Sequence, residues 1–397
     1  MATVMTVVAG GCNWYFIASV GAQREGAGLP NLGWSPTLNA DAQSSAAAMC
    51  AGRGVLPSPS GAYQETPGDV HELVAAVPSS AANLDASLWT QWRNDPEIDA
   101  TRWKSQGAGE TTCADGNVYA AEVLKAPVVT LPNGRYSTQQ YDPSTVRQFL
   151  GIQYTTAVDY TGTTIPLLLD VYTPPVGAPS PRATVVLIHG GAFVGGSRTD
   201  EAGDGKQWAA RGYDAVSIDY RLDQSLYQDS SPPKELAAAS NATEDAEQAV
   251  RWMKANAATY GVDVTRIAAV GNSAGGAVAL GMSVSPDFRP PTQYASYSSK
   301  IAAAVSTGAY LTPGIDLGVL HLTAGLAPIL MFHYETDVAS NTGVYAFRTC
   351  SAYRAAGSVC DYVSEAGEGH TTDLSAGGYW WASQLGPFIW RQLNLGS

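Results

Sequence analysis

The hexapeptide Gly271-Asn272-Ser273-Ala274-Gly275-Gly276 follows the apolar run Ile267 to Val270 and precedes the apolar helical run Ala277 to Met282. A serine in a G-x-S-x-G turn between strand and helix sits in a tight, strained bend, and Gly271 and Gly275 let strand and helix close around it. Its hydroxyl then projects from the strand end at a helix N-terminus, where the dipole favours developing negative charge. The chemistry this suits is nucleophilic attack on an acyl carbon. In a chain with 41 glycines the bare pattern also arises by chance, so the strand-turn-helix setting carries the reading.

A serine hydroxyl is a weak nucleophile until a base takes its proton, which requires a histidine oriented by an acid. The chain has five histidines. His71 lies among short, irregular segments and His321 in an apolar insertion, and both read as ordinary surface or core residues. His189 ends a strand in His189-Gly190-Gly191-Ala192-Phe193, where a bracing role is better supported than proton transfer. His333 closes the run Ile329 to Phe332. His370 remains: it stands in the segment Glu365 to Thr372 after the strand Asp361 to Ser364, with Gly367 and Gly369 giving that segment freedom to present it. The acid is expected just beyond His333, at Asp337, with Glu335 the rival.

Acyl transfer also places negative charge on the former carbonyl oxygen, and each backbone N–H aimed at it is worth about 3 to 4 kcal/mol. The bare backbone after His189 suits that task, and Gly191, Ala192 and Ala274 are the expected donors. A phosphate-binding reading of this glycine-rich loop is disfavoured, because neither G-x-G-x-x-G nor G-K-[ST] follows. Phe193, Tyr220, Tyr310 and Tyr334 are candidates to line an apolar substrate wall, and each could equally serve as core packing. Asp223 to Ala239 and Leu311 to Ala327 are short insertions able to overhang the site, so an open cleft is expected.

The elements that must position these residues become regular after Pro143. Strand-length apolar runs alternate with amphipathic stretches, which predicts an α/β fold with a mostly parallel sheet flanked by helices. Gly151 to Asp159 and Ile165 to Tyr172 read as an antiparallel pair turning at Thr161-Gly162. Thr184 to His189, Ala215 to Tyr220 and Ile267 to Gly271 read as buried strands. A helix capped by Ser240 or Asn241 is expected to end at Gly261. Residues 146–397 therefore form the expected catalytic domain, and residues 1–145 an extension or small extra domain of unassigned role. In that extension Asn13 to Val20 reads as a strand, and Asp69 to Val77 and Asn83 to Arg93 as helices.

Length and composition bound the rest. At 397 residues the chain has room for a large core, and its net charge of −13 repels phosphate backbones, so nucleic acid is a poor partner. No apolar run approaches the about 20 residues that cross a bilayer. The N-terminus has no Lys or Arg before Arg24, and Ala9-Gly10-Gly11-Cys12 only faintly echoes a lipoprotein cleavage site. Cys12, Cys50, Cys113, Cys350 and Cys360 contain no C-x-x-C and no zinc spacing, so neither metal nor cofactor is expected. Cys350 and Cys360 flank a short connection between the predicted helix Val344 to Ala355 and the next strand, and are expected to be bonded, with one further bond among the other three. That predicts a secreted or periplasmic protein; five reduced, buried thiols in a cytoplasmic one is the alternative. Nothing in the sequence specifies an oligomeric state.

The combination of His189-Gly190-Gly191-Ala192-Phe193, Ser217-Ile218-Asp219-Tyr220-Arg221-Leu222, Gly271-Asn272-Ser273-Ala274-Gly275-Gly276, His333 to Asp337 and Gly367 to His370 resembles the α/β-hydrolase superfamily. Within it, the resemblance is to esterases of the hormone-sensitive-lipase-like and bacterial feruloyl-esterase-like groups. It covers about Leu150 to Leu395, and the chain order Ser273, Asp337, His370 is that of the superfamily. Two departures stand out: Tyr334 replaces a frequent glycine, and Ala192 replaces the third glycine of the loop. The resemblance implies a serine carboxylesterase acting through an acyl-enzyme on Ser273, on short-chain or aryl esters in small molecules or polymers. The alternatives are an aryl formamidase-type amidase, whose group is similar in its H-G-G-x and G-x-S-x-G-G segments, and a non-catalytic interaction protein on a hydrolase scaffold.

Overall fold

The Val-, Ala- and Leu-rich run Arg182–Ile188 is buried along its whole length, as expected of a strand covered on both faces, and it forms the third strand of an eight-stranded sheet. In the computed structural model this sheet comprises β5 (Arg147–Val158), β6 (Thr164–Thr173), β7 (Arg182–Ile188), β8 (Asp214–Ile218), β9 (Val262–Asn272), β10 (Ala303–Thr307), β11 (Ile329–Asp337) and β12 (Cys360–Gly369). Their order is β12-β11-β10-β9-β7-β8-β6-β5, parallel throughout except that β6 runs antiparallel to β5 and β8. The structure describes residues 19–396 except 21, 25–31, 54, 56–69, 81–83, 93–104, 126–130, 285, 288–290, 292, 317, 319 and 340–342.

The chain divides into two compact units, Met1–Val128 and Val129–Ser397. The boundary therefore precedes the expected one at 145. The reason is packing: Tyr136 is buried against Tyr213, its hydroxyl accepts the Ala183 N–H at 3.1 Å, and Ser137 O accepts the Trp381 indole N–H at 2.8 Å.

Two cores flank the large sheet. One gathers Val186, Ile188, Val216, Ala269, Val278 and Met331; the other gathers Val185, Leu187, Trp208, Val270, Phe332 and Phe388. The helix expected to begin at Ser240 or Asn241 begins instead at Pro232 and runs to Ala255, with proline in its first turn. Ser240 Oγ is mid-helix and donates to Leu236 O at 2.7 Å, so its capping potential is spent on the preceding turn. The short helix Ala257–Tyr260 follows, and Gly261 ends it at φ 79°. Asp159 organises the β5–β6 turn by accepting the Thr161 and Thr163 N–H groups at 2.8 and 2.9 Å.

The first unit is a four-stranded sheet in the order β1 (Gly33–Trp34), β3 (Ser105–Thr112), β4 (Asn117–Lys125), β2 (Val70–Pro78). Helix Pro36–Ala48 packs Leu38, Ala42 and Ala46 on one face, and helix Leu84–Trp92 packs Leu88 and Trp92 on the other. The helix expected at Asp69 to Val77 is corrected: Val70–Pro78 is a strand paired with β4 along its length. Leu73, Ala75 and Val77 pack on one face and Val74 on the other, and apolar residues on both faces do not distinguish strand from buried helix by periodicity. Most of the strand expected at Asn13 to Val20 lies outside the described residues, and Ser19 and Val20 are helical. Cys50 is bonded to Cys113 and Cys350 to Cys360, whereas Cys12 lies outside the described residues.

Candidate active site

β9 ends at Asn272, Ser273 turns the chain, and helix Ala274–Val284 begins at once. Ser273 sits at φ 52°, a left-handed conformation that costs a non-glycine residue energy and persists where its surroundings enforce it. Here the enforcement is close backbone packing. A Cβ on Gly271 would run into the Gly275 carbonyl, and one on Gly275 into the carbonyls of Ile188 and His189. Ser273 N–H also donates to Thr307 O at 2.8 Å.

β11 does not stop at Phe332 but continues to Asp337, with a bulge between Tyr334 and Thr336. β12 likewise continues to Gly369, which shortens the expected loop and puts His370 directly beyond a paired strand. His370 Nε2 lies 2.7 Å from Ser273 Oγ, and its Nδ1 lies 2.9 and 3.0 Å from the two Asp337 carboxylate oxygens. The Asp337 side chain is fully buried, while that of His370 is 26% exposed. A serine, a solvent-accessible imidazole and a buried carboxylate in line suit proton transfer from hydroxyl to ring, with the carboxylate fixing the tautomer. The Glu335 side chain is not among those described. His333 is buried, its Nε2 3.1 Å from Asp337 Oδ2 but out of line for a hydrogen bond. Burial lowers the His333 pKa against the opposing pull of Asp337, which keeps this second imidazole neutral.

The loop after β7 packs against this turn. Gly191 (φ 112°), Ala192 (φ 51°) and Phe193 (φ 62°) bend it, and the N–H groups of Val194 and Gly195 both donate to Gly191 O. Gly191 and Ala192 are exposed, and Ala274 opens a helix, where the first N–H groups have no intrahelical acceptor. His189 is buried; with the proton on Nδ1 it donates to Gly190 O at 2.7 Å, and burial lowers its pKa. Tyr220 does not line a substrate wall. It is only 2% exposed, stacks on His189 at 4.3 Å, and donates its hydroxyl to His189 O at 3.0 Å.

The other three wall candidates are half-buried. Tyr310 packs 5.2 Å from Tyr345, and Phe193 meets the Tyr220 ring edge-on at 6.3 Å. Tyr334 packs on Gly369, in the space that glycine leaves by having no Cβ. The two insertions meet where Gly314 packs against Leu320 and Leu236.

Several site residues had no motif to announce them. Thr307, at the end of β10, accepts from Ser273 N–H with its carbonyl and from Thr372 N–H with its hydroxyl at 2.9 Å, so one residue spans nucleophile turn and base loop. Gly308, at φ 63°, lies directly under the His370 carbonyl. Glu365 and Thr372 both accept from the Trp380 indole N–H, at 3.3 and 3.1 Å. The sequence signal for Thr307 and Gly308 is that they close the apolar run from Ala302, as a strand end does.

One strand antiparallel to its neighbours at one side of the sheet, the nucleophile turn after the fifth strand, the carboxylate after the seventh and the imidazole after the eighth decide the architecture. The second unit has the α/β-hydrolase fold. The BD-FAE family model matches residues 169–309, a segment of the α/β-hydrolase unit that contains Ser273 and the His189 to Phe193 loop. Asp337 and His370 lie beyond it. Human Carboxylesterase 3 is 36% identical over 122 residues, 30% of this chain and 21% of that protein. Esterase LipI of Mycobacterium tuberculosis is 39% identical over 117 residues, 29% of this chain and 33% of that protein. The chain thus spans a third or less of the length of these curated relatives. Among solved structures, butyrate-bound esterase Est2 of Thermogutta terrifontis is similar, with a TM-score of 0.45 and 24% identity over 61% of this chain and 91% of that one. Among the described residues, no helix is long and apolar enough to cross a membrane.

Proposed function

We propose that the chain is a serine carboxylesterase. The observation that carries this is the aligned contact of Ser273 Oγ with His370 Nε2 at 2.7 Å and of His370 Nδ1 with Asp337. Ser273 Oγ attacks the ester carbonyl as His370 takes its proton, and Asp337 accepts Nδ1–H and stabilises the resulting imidazolium. The N–H groups of Gly191, Ala192 and Ala274 receive the oxyanion. His370 returns the proton to the departing alcohol, and water, activated by the same imidazole, releases the acid from Ser273. Short-chain and aryl esters, free or polymer-linked, are the substrate class of this reading, with the half-buried Phe193, Tyr310 and Tyr334 as candidates for the acyl or alcohol wall. The two disulfides support a secreted or periplasmic location.

Purified protein is assayed on p-nitrophenyl esters and on N-formylkynurenine. Turnover of the esters in preference to the formamide is expected; the reverse preference would replace the esterase with an amidase. Inertness toward both, together with failure to react with a fluorophosphonate, would leave an interaction protein on a hydrolase scaffold.

A further inference from the structure

Behind the nucleophile turn stands a carboxyl group that the mechanism above does not use. Glu201 ends the short 3-10 helix Arg198–Glu201, just past the glycine-rich loop. That helix is firmly anchored: Arg198 pairs with Asp170 and Asp219, each at 2.8 Å, and Arg198 O accepts the Ser217 hydroxyl at 2.6 Å. Glu201 is 8% exposed, and its Oε1 accepts the Asn272 side-chain N–H at 3.0 Å. The opposite end of the same amide, Asn272 Oδ1, lies against Gly190. A Cβ on Gly190 would collide with it and come within 3.3 Å of Ser273 Cβ. One amide therefore spaces the loop that bears Gly191 and Ala192 from the turn that bears Ser273, and Glu201 sets which way that amide faces.

We propose that Glu201 is a positioning residue that, through Asn272, holds the Gly190 to Ala192 backbone at the distance from Ser273 that the oxyanion requires. The inference rests on the serine esterase reading. The groups acting on Glu201 are Asp200 on its own helix, Asp204 on helix Ala202–Ala210, Tyr220 beyond β8 and Asn272 at the end of β9; Asp373 in turn acts on Asp204. Burial first, and Asp204 second, push the Glu201 pKa up to about 7, against the Asn272 hydrogen bond that lowers it. Above that pH Glu201 adds a negative charge behind a site whose transition state is itself gathering negative charge, which opposes the reaction.

The test compares full-length wild type, Glu201→Gln, Glu201→Leu, Asn272→Asp and the double variant Glu201→Gln/Asn272→Asp. For each, kcat and KM on p-nitrophenyl acetate and the second-order rate of fluorophosphonate labelling are measured across pH, with thermal melts to establish folding. Glu201→Leu is expected to lower kcat about tenfold or more with little change in KM, as misplacement of catalytic groups does, and Glu201→Gln to recover most of that loss. The ratio of Glu201→Gln rate to wild-type rate should rise as pH passes about 7, the region where Glu201 ionises. Asn272→Asp sets two carboxyl groups together and should be slow, and adding Glu201→Gln should restore it, because the glutamine amide can donate where the asparagine did. A ratio flat with pH, or no rescue in the double variant, would overturn the proposal, even where Glu201→Leu fails to fold. A wild-type protein inert to ester and fluorophosphonate alike would overturn the esterase reading and this inference with it. An active wild type matched by a folded Glu201→Leu variant would overturn the inference alone.

Discussion

Asp337 carries more structural duty than a surface acid could. Fully buried, it meets His370 Nδ1 with both oxygens and accepts the Ala339 N–H at 2.9 Å. Removing its charge while keeping its shape leaves the imidazole free to present the wrong tautomer to Ser273. Asp337→Asn is therefore expected to lower kcat about 10⁴-fold with the fold retained. Steady-state kinetics beside a circular dichroism melt checks this, and a loss below tenfold would assign the orienting role elsewhere, with Glu335→Gln the next variant to measure. Ser273 and the His189 loop were legible because each stands in a motif with steric demands of its own, whereas His370 was reached by elimination among five histidines and Asp337, with Glu335 as rival, by its place after a strand. Glu201, Asn272 and Thr307 were not legible, since a carboxylate, an amide and a hydroxyl that act by tertiary contact leave no spacing in the chain. The two alternatives for Tyr220 stayed open for a related reason: an aromatic near a site looks alike in sequence whether its hydroxyl faces a ligand or a backbone carbonyl.

At the level of elements, the alternation of buried runs predicted most strands of the second unit, yet their ends differ: β9, β11 and β12 run further than expected, whereas β8 stops at Ile218, short of Tyr220. β11 and β12 run on through His333 and Ser364 because pairing with a neighbour satisfies their backbone groups, a contact that local composition does not report. The same tertiary pairing makes a strand of Val70–Pro78, where burial on both faces of this edge strand hid the period of two. Helix Gly343–Ala355 and the start of β12 are tied by Cys350–Cys360, a closure spanning ten residues of sequence. Loop closure of this size is worth about 2 to 3 kcal/mol. Replacing both cysteines with alanine should lower the thermal midpoint by several degrees, and kcat to a lesser extent, since β12 presents His370. Peptide mapping without reductant gives the companion check: finding both thiols free in the native protein would refute the bond and weaken the case for an oxidising compartment.

Across the whole molecule, the two units respond to pH through different groups. In the first, Glu122 on β4 is fully buried between Leu73 and Ala108, and burial pushes its pKa from 4.5 up to about 8. The folded unit thus retains a proton that the unfolded chain releases. The Glu122 contribution to stability is therefore fully present below about pH 4.5, falls as pH rises from there to about 8, and levels off beyond. Glu122→Gln should flatten that slope. Hydrogen exchange of peptides covering β4 in the full-length chain reads it, and a slope unchanged by the substitution would show that another group titrates. This dependence stays separate from the rate profile of the second unit, where the Glu201 ionisation acts.

Every proposed step in the second unit passes through the Ser273 hydroxyl, and covalent mapping tests that nucleophile without knowledge of the natural substrate. The full-length protein is treated with a fluorophosphonate, digested and sequenced by mass spectrometry, alongside a folded Ser273→Ala variant assayed on p-nitrophenyl acetate. A single adduct on Ser273 is expected, with neither adduct nor ester turnover in the variant. An adduct on another residue, or a folded Ser273→Ala protein that still hydrolyses the ester, would contradict it.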